Sequence, residues 1–226
     1  MCIDQSRRTA QRFTLPSEGT RQSKPVVRLD TSQVDLLATV LSRACQDEAK
    51  FKYLMPDEQT RRAVLPWFFG SVAIRASHLY GEIYTTENID GAALWISPGH
   101  ASNIGQIVRT GMPAMPFKLE PASCKRCIRV IARVEAVHER LAGRPHWYLV
   151  ALGVELSKEA RAIRRALIEP VLARADSRGL PCYLETFDEN SVLFYENLGF
   201  RIEGAGQIPW GGPNFWAMMR APQASL

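Results

Sequence analysis

Glu185 lies inside the apolar run Cys182–Thr186, read Cys-Tyr-Leu-Glu-Thr. Burial disfavours a charged carboxylate, so a Glu185 side chain facing a cleft has its pKa raised toward that of a useful base. The competing reading is an ion pair with a neighbouring arginine. His146 and Glu155 bracket a second apolar run, Trp147–Val154, and are secondary candidates for the same role. Cys124 and Cys127 form a Cys-x-x-Cys pair. A zinc site needs two more ligands at workable spacing, and the histidines at 78, 100, 138 and 146 are scattered, so no metal is expected. A redox pair would open a helix after a strand, whereas a proline-rich loop precedes this one; it reads as two thiols on a helix.

The chain has 226 residues, 46% hydrophobic and 23% charged, with a formal net charge of +5. This is the balance of a globular chain with one sizeable core. No apolar run approaches the roughly 20 residues that span a bilayer. Residues 1–24 lack a secretory apolar stretch and are rich in Arg, Ser, Thr and Gln; they read as a disordered arm ahead of a single domain over 25–222. An organelle-targeting segment is the other reading, against which Asp4 and Glu18 count. Five cysteines, an odd number spread along the chain, fit a reducing compartment, and a cytoplasmic location is expected. The positive charge invites a nucleic-acid reading. Yet the basic stretch 125–144 lacks the interleaved aromatics of single-strand binders. It reads as the solvated face of a helix whose apolar face is Ile128, Ile131, Val134 and Leu141.

The elements that position these residues follow from periodicity. A strand is expected at 26–29, then a helix capped by Asp30 with Val34, Leu37, Val40, Leu41 and Ala44 inward. A second helix should run from Asp57 toward Leu79. Strands at 82–85 and 92–96 flank a turn containing Asn88, Asp90 and Gly91, a hairpin. The stretch 97–144, broken by Gly105, Gly111, Pro113, Pro116 and Pro121, reads as helices with loops walling a pocket. Trp147–Val154 is a strand buried on both faces. A helix over 158–178, the strand Cys182–Thr186, a short helix over 190–198 ended by Gly199, and strands at 201–208 and 215–219 complete the chain. The order is β-α-α-β-β, an insert, then β-α-β-α-β-β: one α/β domain with a mixed sheet flanked by helices.

Residues 147–222 resemble the core of the GNAT acetyltransferases, in the branch that contains puromycin N-acetyltransferase. The matching stretches are Trp147-Tyr148-Leu149, Leu152-Gly153-Val154, Leu184-Glu185-Thr186, the FYxxLGF element at 194–200, and Phe215-Trp216-Ala217-Met218-Met219-Arg220. Ala93-Leu94-Trp95-Ile96-Ser97-Pro98 resembles the branch's hairpin strand. The resemblance implies transfer of an acyl group from acyl-coenzyme A to the amine of a small molecule such as a toxin, antibiotic or secondary metabolite. Acetyl-coenzyme A would lie where the strand 149–154 splays from Cys182–Thr186, its pantetheine amides on the backbone of Gly153 and Val154. The resemblance also makes Tyr195 the hydroxyl that reaches the thiol. It places Ser191 where the family has an asparagine that bonds coenzyme A, with Asn190 adjacent. Gln46-Asp47-Glu48-Ala49 aligns with a segment that carries a tyrosine in the puromycin enzyme, so puromycin is not the expected acceptor.

The phosphate turn departs from the family. Gln/Arg-x-x-Gly-x-Gly/Ala is written here Glu159-Ala160-Arg161-Ala162-Ile163-Arg164. Glu159 sets an anion where an anion should bind, Ala162 replaces a glycine, and Arg164 begins a long side chain where a small residue belongs. Arg161, Arg164 and Arg165 then either grip the phosphates with guanidinium groups, fill the pocket, or are solvated surface residues. If they fill it, the fold serves another chemistry: a cyclase, lyase or hydrolase, or a small-molecule-binding protein.

Overall fold

Alternation along the strands divides the core in two. In β3 (Gly91–Ile96) Ala92 and Leu94 enter one buried cluster and Ala93 and Trp95 the other. In β5 (Cys182–Thr186) Tyr183 faces the first, and Cys182 and Leu184 face the second. Side chains that alternate between two buried faces require helices on both sides of the sheet. The computed structural model describes residues 25–100, 112–157 and 159–223; the expected arm at 1–24 lies outside them. Among the described residues a seven-stranded sheet adds β1 (Val26–Arg28), β2 (Gly81–Thr86), β4 (Trp147–Val154), β6 (Arg201–Gln207) and β7 (Asn214–Arg220). The strand order is β1-β2-β3-β4-β5-β7-β6. Only β4 and β5 run parallel; every other neighbouring pair is antiparallel.

One face carries α1 (Val34–Cys45), α2 (Ala49–Leu54), α3 (Glu58–Phe68) and, after two short helices α4 (Arg75–Tyr80) and α5 (Met115–Lys118), α6 (Pro121–Leu141). The other carries α7 (Ala160–Ser177) and α8 (Glu189–Glu196), with Ile163, Leu167, Val171 and Tyr195 inward. Asp30 accepts from the Ser32 amide at 2.8 Å and Asp57 from the Thr60 amide at 2.7 Å, the cap chemistry their positions predict. Gly199 stops α8 at φ +89°.

Three elements differ from expectation. The helix α2 was not anticipated, because six residues carry too little periodicity. The expected helix from Asp57 to Leu79 is three pieces: α3, a wide π turn at Phe69–Ile74, and α4. Pro66 lies three residues before that turn and lacks the N–H that would bond back along α3. In α6 the buried stripe is Cys127, Val130, Val134, Val137 and Leu141, at alternating spacings of three and four, whereas Ile128 is 56% exposed. Of the expected apolar face, Val134 and Leu141 belong to this stripe and Ile128 does not. Arg126 and Arg129 are therefore half-buried against α2 and the β6–β7 turn, instead of solvated.

The sheet's far end is tied by Arg220. Its guanidinium donates to both carboxylate oxygens of Asp176 at 2.6 and 2.8 Å, and to the Leu198 carbonyl at 2.8 Å. With Arg220 only 4% exposed, Asp176→Ala leaves a buried guanidinium short of its anion. A loss of about 3–5 kcal/mol is expected in urea denaturation, with Asp176→Asn recovering part of it.

Candidate active site

The register of β4 changes midway. Leu94 pairs with Ala151 but Trp95 with Leu149, so Val150 is an extra residue, a β-bulge. Such a bulge bends its strand and steepens the local twist. On its other edge β4 pairs with β5 only from Trp147–Cys182 to Leu149–Leu184. Past that point the facing edges of the two strands carry no ladder hydrogen bonds among the described residues. The pairing thus ends at the place where the resemblance implies a cleft. α1 closes tightly over one side of it: a Cβ on Gly153 would lie 2.7 Å from Leu41 Cδ2 and 3.2 Å from Cys45 Sγ.

Solved acetyltransferases share the overall fold. A histone acetyltransferase HPA2 and related acetyltransferase from Corynebacterium glutamicum superposes with a TM-score of 0.59 at 23% identity, covering 90% of this chain and 98% of that one. Arylalkylamine N-acetyltransferase 2 from Aedes aegypti gives 0.56 at 12% identity, covering 88% and 99%. This is the GNAT fold. In sequence, an uncharacterised N-acetyltransferase of Schizosaccharomyces pombe is 26% identical over 182 residues, 76% of this chain and 72% of that protein. No family model matches the sequence.

Glu185 sits where the strands part. Its Oε1 is buried and without a hydrogen-bond partner, as is the Tyr183 hydroxyl on the same strand. Burial pushes the Glu185 carboxyl up to about 7; the nearby Tyr148 and Tyr183 hydroxyls, and Lys50 at the start of α2, pull the other way without cancelling it. The ion pair with arginine that competed with this reading is absent among the described residues. Lys50 lies 4.8 Å from the ring centre of Phe51 and 5.3 Å from that of Phe187, two residues past Glu185. Nothing in the sequence flagged Lys50, because its partners are brought to it by α2.

Tyr195 approaches from the other face. It is buried between Phe194 and Phe200, and burial pushes its hydroxyl up to about 12, opposed by Arg164. Arg164 does not point back along α7. Its Nη2 donates to Ser191 Oγ at 3.2 Å, its guanidinium lies 4.5 Å from the centre of the Phe194 ring, and its Nε is buried without a partner. Ser191 in turn donates to Asp188 Oδ2 at 2.7 Å. The exposed Asn190 bonds Asp188 Oδ1 through its backbone N–H and its side-chain amide, at 3.0 and 3.1 Å, capping α8. At the start of α7 Glu159, Arg161 and Ala162 are exposed, and Arg165 pairs with Glu169 at 2.9 Å. Val154 and Gly153 are buried, the former in the α7–α8 cluster, the latter under α1.

The secondary candidates lie apart. Glu155 pairs with Arg43 at the surface. His146 is buried against His138, with their Nε2 atoms 2.8 Å apart. His146 Nδ1 faces the Arg144 carbonyl at 2.7 Å; a carbonyl only accepts, so Nδ1 carries the proton and His138 Nε2–H donates to His146 Nε2. Cys124 and Cys127 are free thiols, and no group of three His, Cys, Asp or Glu residues could hold a metal among the described residues. Nor is any described helix long and apolar enough to cross a membrane.

Two buried groups give opposite pH dependences. Burial, and secondarily His146, lowers His138 from 6.5 to about 4. The neutral ring is favoured in the fold, so its contribution is whole above pH 6.5 and is lost as pH falls toward about 4. Glu185, raised from 4.5 to about 7, contributes fully below 4.5 and loses that contribution as pH rises through about 7. In denaturation series from pH 4 to 8, His138→Gln should flatten the acid limb and Glu185→Gln the near-neutral one. An unaltered acid limb in His138→Gln would assign that limb to other groups.

Proposed function

We propose that the protein is an N-acyltransferase that moves an acyl group from acyl-coenzyme A to the amine of a small molecule. The observation that carries this reading is the parting of β4 and β5 beyond Leu149 and Leu184, with the unpartnered, buried Oε1 of Glu185 at the parting. Unpaired strand edges inside a fold call for a ligand or water to satisfy them. The residues present suit a pantetheine chain: the open edge of β4 from Val150 to Val154 can pair with its amides as a strand edge does. The exposed first turn of α7, at Arg161 and Ala162, offers a helix N-terminus and a guanidinium for phosphates. Coenzyme A, when bound, supplies the acyl group as an activated thioester.

The chain's own groups divide the proton work. Glu185, raised to about 7, takes a proton from the acceptor ammonium at near-neutral pH. Tyr195, raised to about 12, keeps its hydroxyl proton and stands as a neutral donor on the opposite face. The relatives fit this reading, since they are named as N-acetyltransferases, one of them for arylalkylamines.

Arg164 favours a second reading, a GNAT fold turned to other chemistry. Its side chain occupies space between α7 and α8, held by Ser191 and Phe194. Calorimetric titration with acetyl-coenzyme A separates the two. Micromolar binding, with thiol released when amines are added, is expected; no binding at millimolar ligand would overturn acyl transfer and leave the second reading.

Two sets of variants refine the first. Glu185→Gln should lower kcat by about 10²- to 10⁴-fold, the range for a lost general base, and abolish a rate limb near pH 7. Arg161→Ala should weaken coenzyme A binding by about 1–3 kcal/mol, as for a charged hydrogen bond. Arg164→Ala should leave that affinity unchanged or improve it, because Arg164 is committed to α8. If Arg164→Ala weakens binding as much as Arg161→Ala does, Arg164 grips the phosphates.

A further inference from the structure

Where α2, the first turns of α6 and the β6–β7 turn meet, a cavity of about 430 Å³ is lined by Tyr53, Pro56, Ala122, Lys125, Arg126, Arg129 and Trp210. Three of these seven are cationic and none is acidic. Arg126 is tied down: Nε donates to the Leu54 carbonyl at 3.1 Å and Nη2 to Ser123 Oγ at 2.8 Å, with Glu120 at 3.4 Å. Lys125 and Arg129 have no carboxylate partner among the described residues. Arg129 is instead stacked on Trp210, 4.1 Å from the ring centre. Further along the same helices, Lys50 lies over Phe187, where it also acts on Glu185, and Arg133 lies 5.9 Å from the centre of the Phe215 ring.

Trp210 is the unusual part of this wall. It is 73% exposed and holds φ at +60°, a backbone conformation costly to a residue with a Cβ. Tyr53 donates its hydroxyl to the Pro209 carbonyl at 3.2 Å, fixing the turn against α2. An exposed indole held in a strained turn over an unpaired guanidinium is a prepared surface: a flat apolar face beside a cation.

A run of contacts leads from the cavity toward the candidate active site. Tyr53 is one turn along α2 from Lys50, Lys50 covers Phe187, and Phe187 follows Glu185 by two residues and packs on Phe215 at 5.9 Å. We propose that this cavity receives an oxyanion, a carboxylate or phosphate, carried by the amine acceptor, so that the acceptor is an anionic amine with an apolar body. Lys125 and Arg129 bind the oxyanion, Trp210 covers the apolar body, and the amine extends toward Glu185. A purely cationic acceptor would be repelled by Lys125 and Arg129. This inference rests on the acyl-transfer reading for the fate of the amine, but not for the occupancy of the cavity.

The test uses matched pairs on the full chain: phenylalanine against phenethylamine for the carboxylate, phosphoethanolamine against ethanolamine for the phosphate. Each is titrated calorimetrically without coenzyme A, and each is assayed for thiol release with acetyl-coenzyme A. The anionic member of at least one pair should bind and turn over at least tenfold better. The double variant Lys125→Gln, Arg129→Gln should cut that preference at least tenfold, with a far-ultraviolet spectrum and melting temperature like those of the parent. Anionic ligands that bind, and lose binding in the variant, while no acceptor is acetylated would keep the cavity's role and sink acyl transfer. Turnover that favours the uncharged or cationic members, with no binding of the anionic ones, would sink the cavity proposal alone. Loss of anionic-ligand binding when coenzyme A is present would also overturn it, by assigning the cavity to the donor.

Discussion

The parallel pairing of β4 with β5 ends after three residue pairs, and most of what is distinctive in this molecule follows from that interruption. The bulge at Val150 turns β4 away, so the backbone groups on both facing edges lose their partners. Buried unpaired backbone groups are costly, and the sheet can tolerate them only if something polar reaches them. The helices then have to cover the sheet without sealing the gap. α1 does so on one face by pressing Leu41 and Cys45 onto Gly153, where any side chain would hold it off. α7 and α8 do so on the other, with Arg164 and Ser191 bridging their ends. The parting is therefore an opening built into a core that is otherwise close-packed.

Strand alternation decides what the opening contains. Because Leu184 faces α7 and α8, Tyr183 and Glu185 must face α1, α2 and α6, while Tyr195 comes from the opposite side. A carboxyl raised by burial and a hydroxyl raised by burial thus lie on opposite faces of the sheet. One side chain that acts on Glu185, Lys50, comes from α2, which is too short to be stable as an isolated helix. Arg61 holds it in place: the buried guanidinium donates to the carbonyls of Gln46 at 3.2 Å, Met55 at 2.8 Å and Pro56 at 2.7 Å, one before the helix and two after. Arg61 contacts nothing in the cleft, yet Lys50 and Tyr53 depend on it for their positions.

The fold was legible in the sequence because its signals are local. β5 spans Cys182–Thr186 as its apolar run implied, and the caps at Asp30 and Asp57 and the stop at Gly199 were readable from residue type. Glu185 was legible for the same reason: a carboxylate in a buried strand is a local anomaly. What escaped depends on contacts between distant segments. Arg126 and Arg129 looked solvated, since α6 has apolar residues on two sides and periodicity alone chose the stripe containing Ile128. The packing of α2 and the β6–β7 turn against α6 chose the other. Lys50 carried no motif, and Trp210 stood among several aromatics expected on pocket walls or in the core. Its left-handed backbone, beside Gly211 and Gly212, could not be read from composition.

The altered phosphate turn takes on a different meaning in three dimensions. In sequence, Arg164 replaces a small residue and seems to bar the cofactor side. In the fold its side chain leaves the first turn of α7, joining Ser191 and Phe194 on α8, while Arg161 and Ala162 at that turn remain exposed. Ser191 and Arg164 are thus one change rather than two: a serine hydroxyl is short enough to leave room for the guanidinium and accepts its hydrogen bond, while donating its own proton to Asp188. That coupling exchanges backbone flexibility at the turn for a fixed cross-link between the two helices beside Tyr195. Arg164 and Ser191 thus take part in the packing between α7 and α8, and the edge of β4 past Leu149 is left without a strand partner on that side among the described residues.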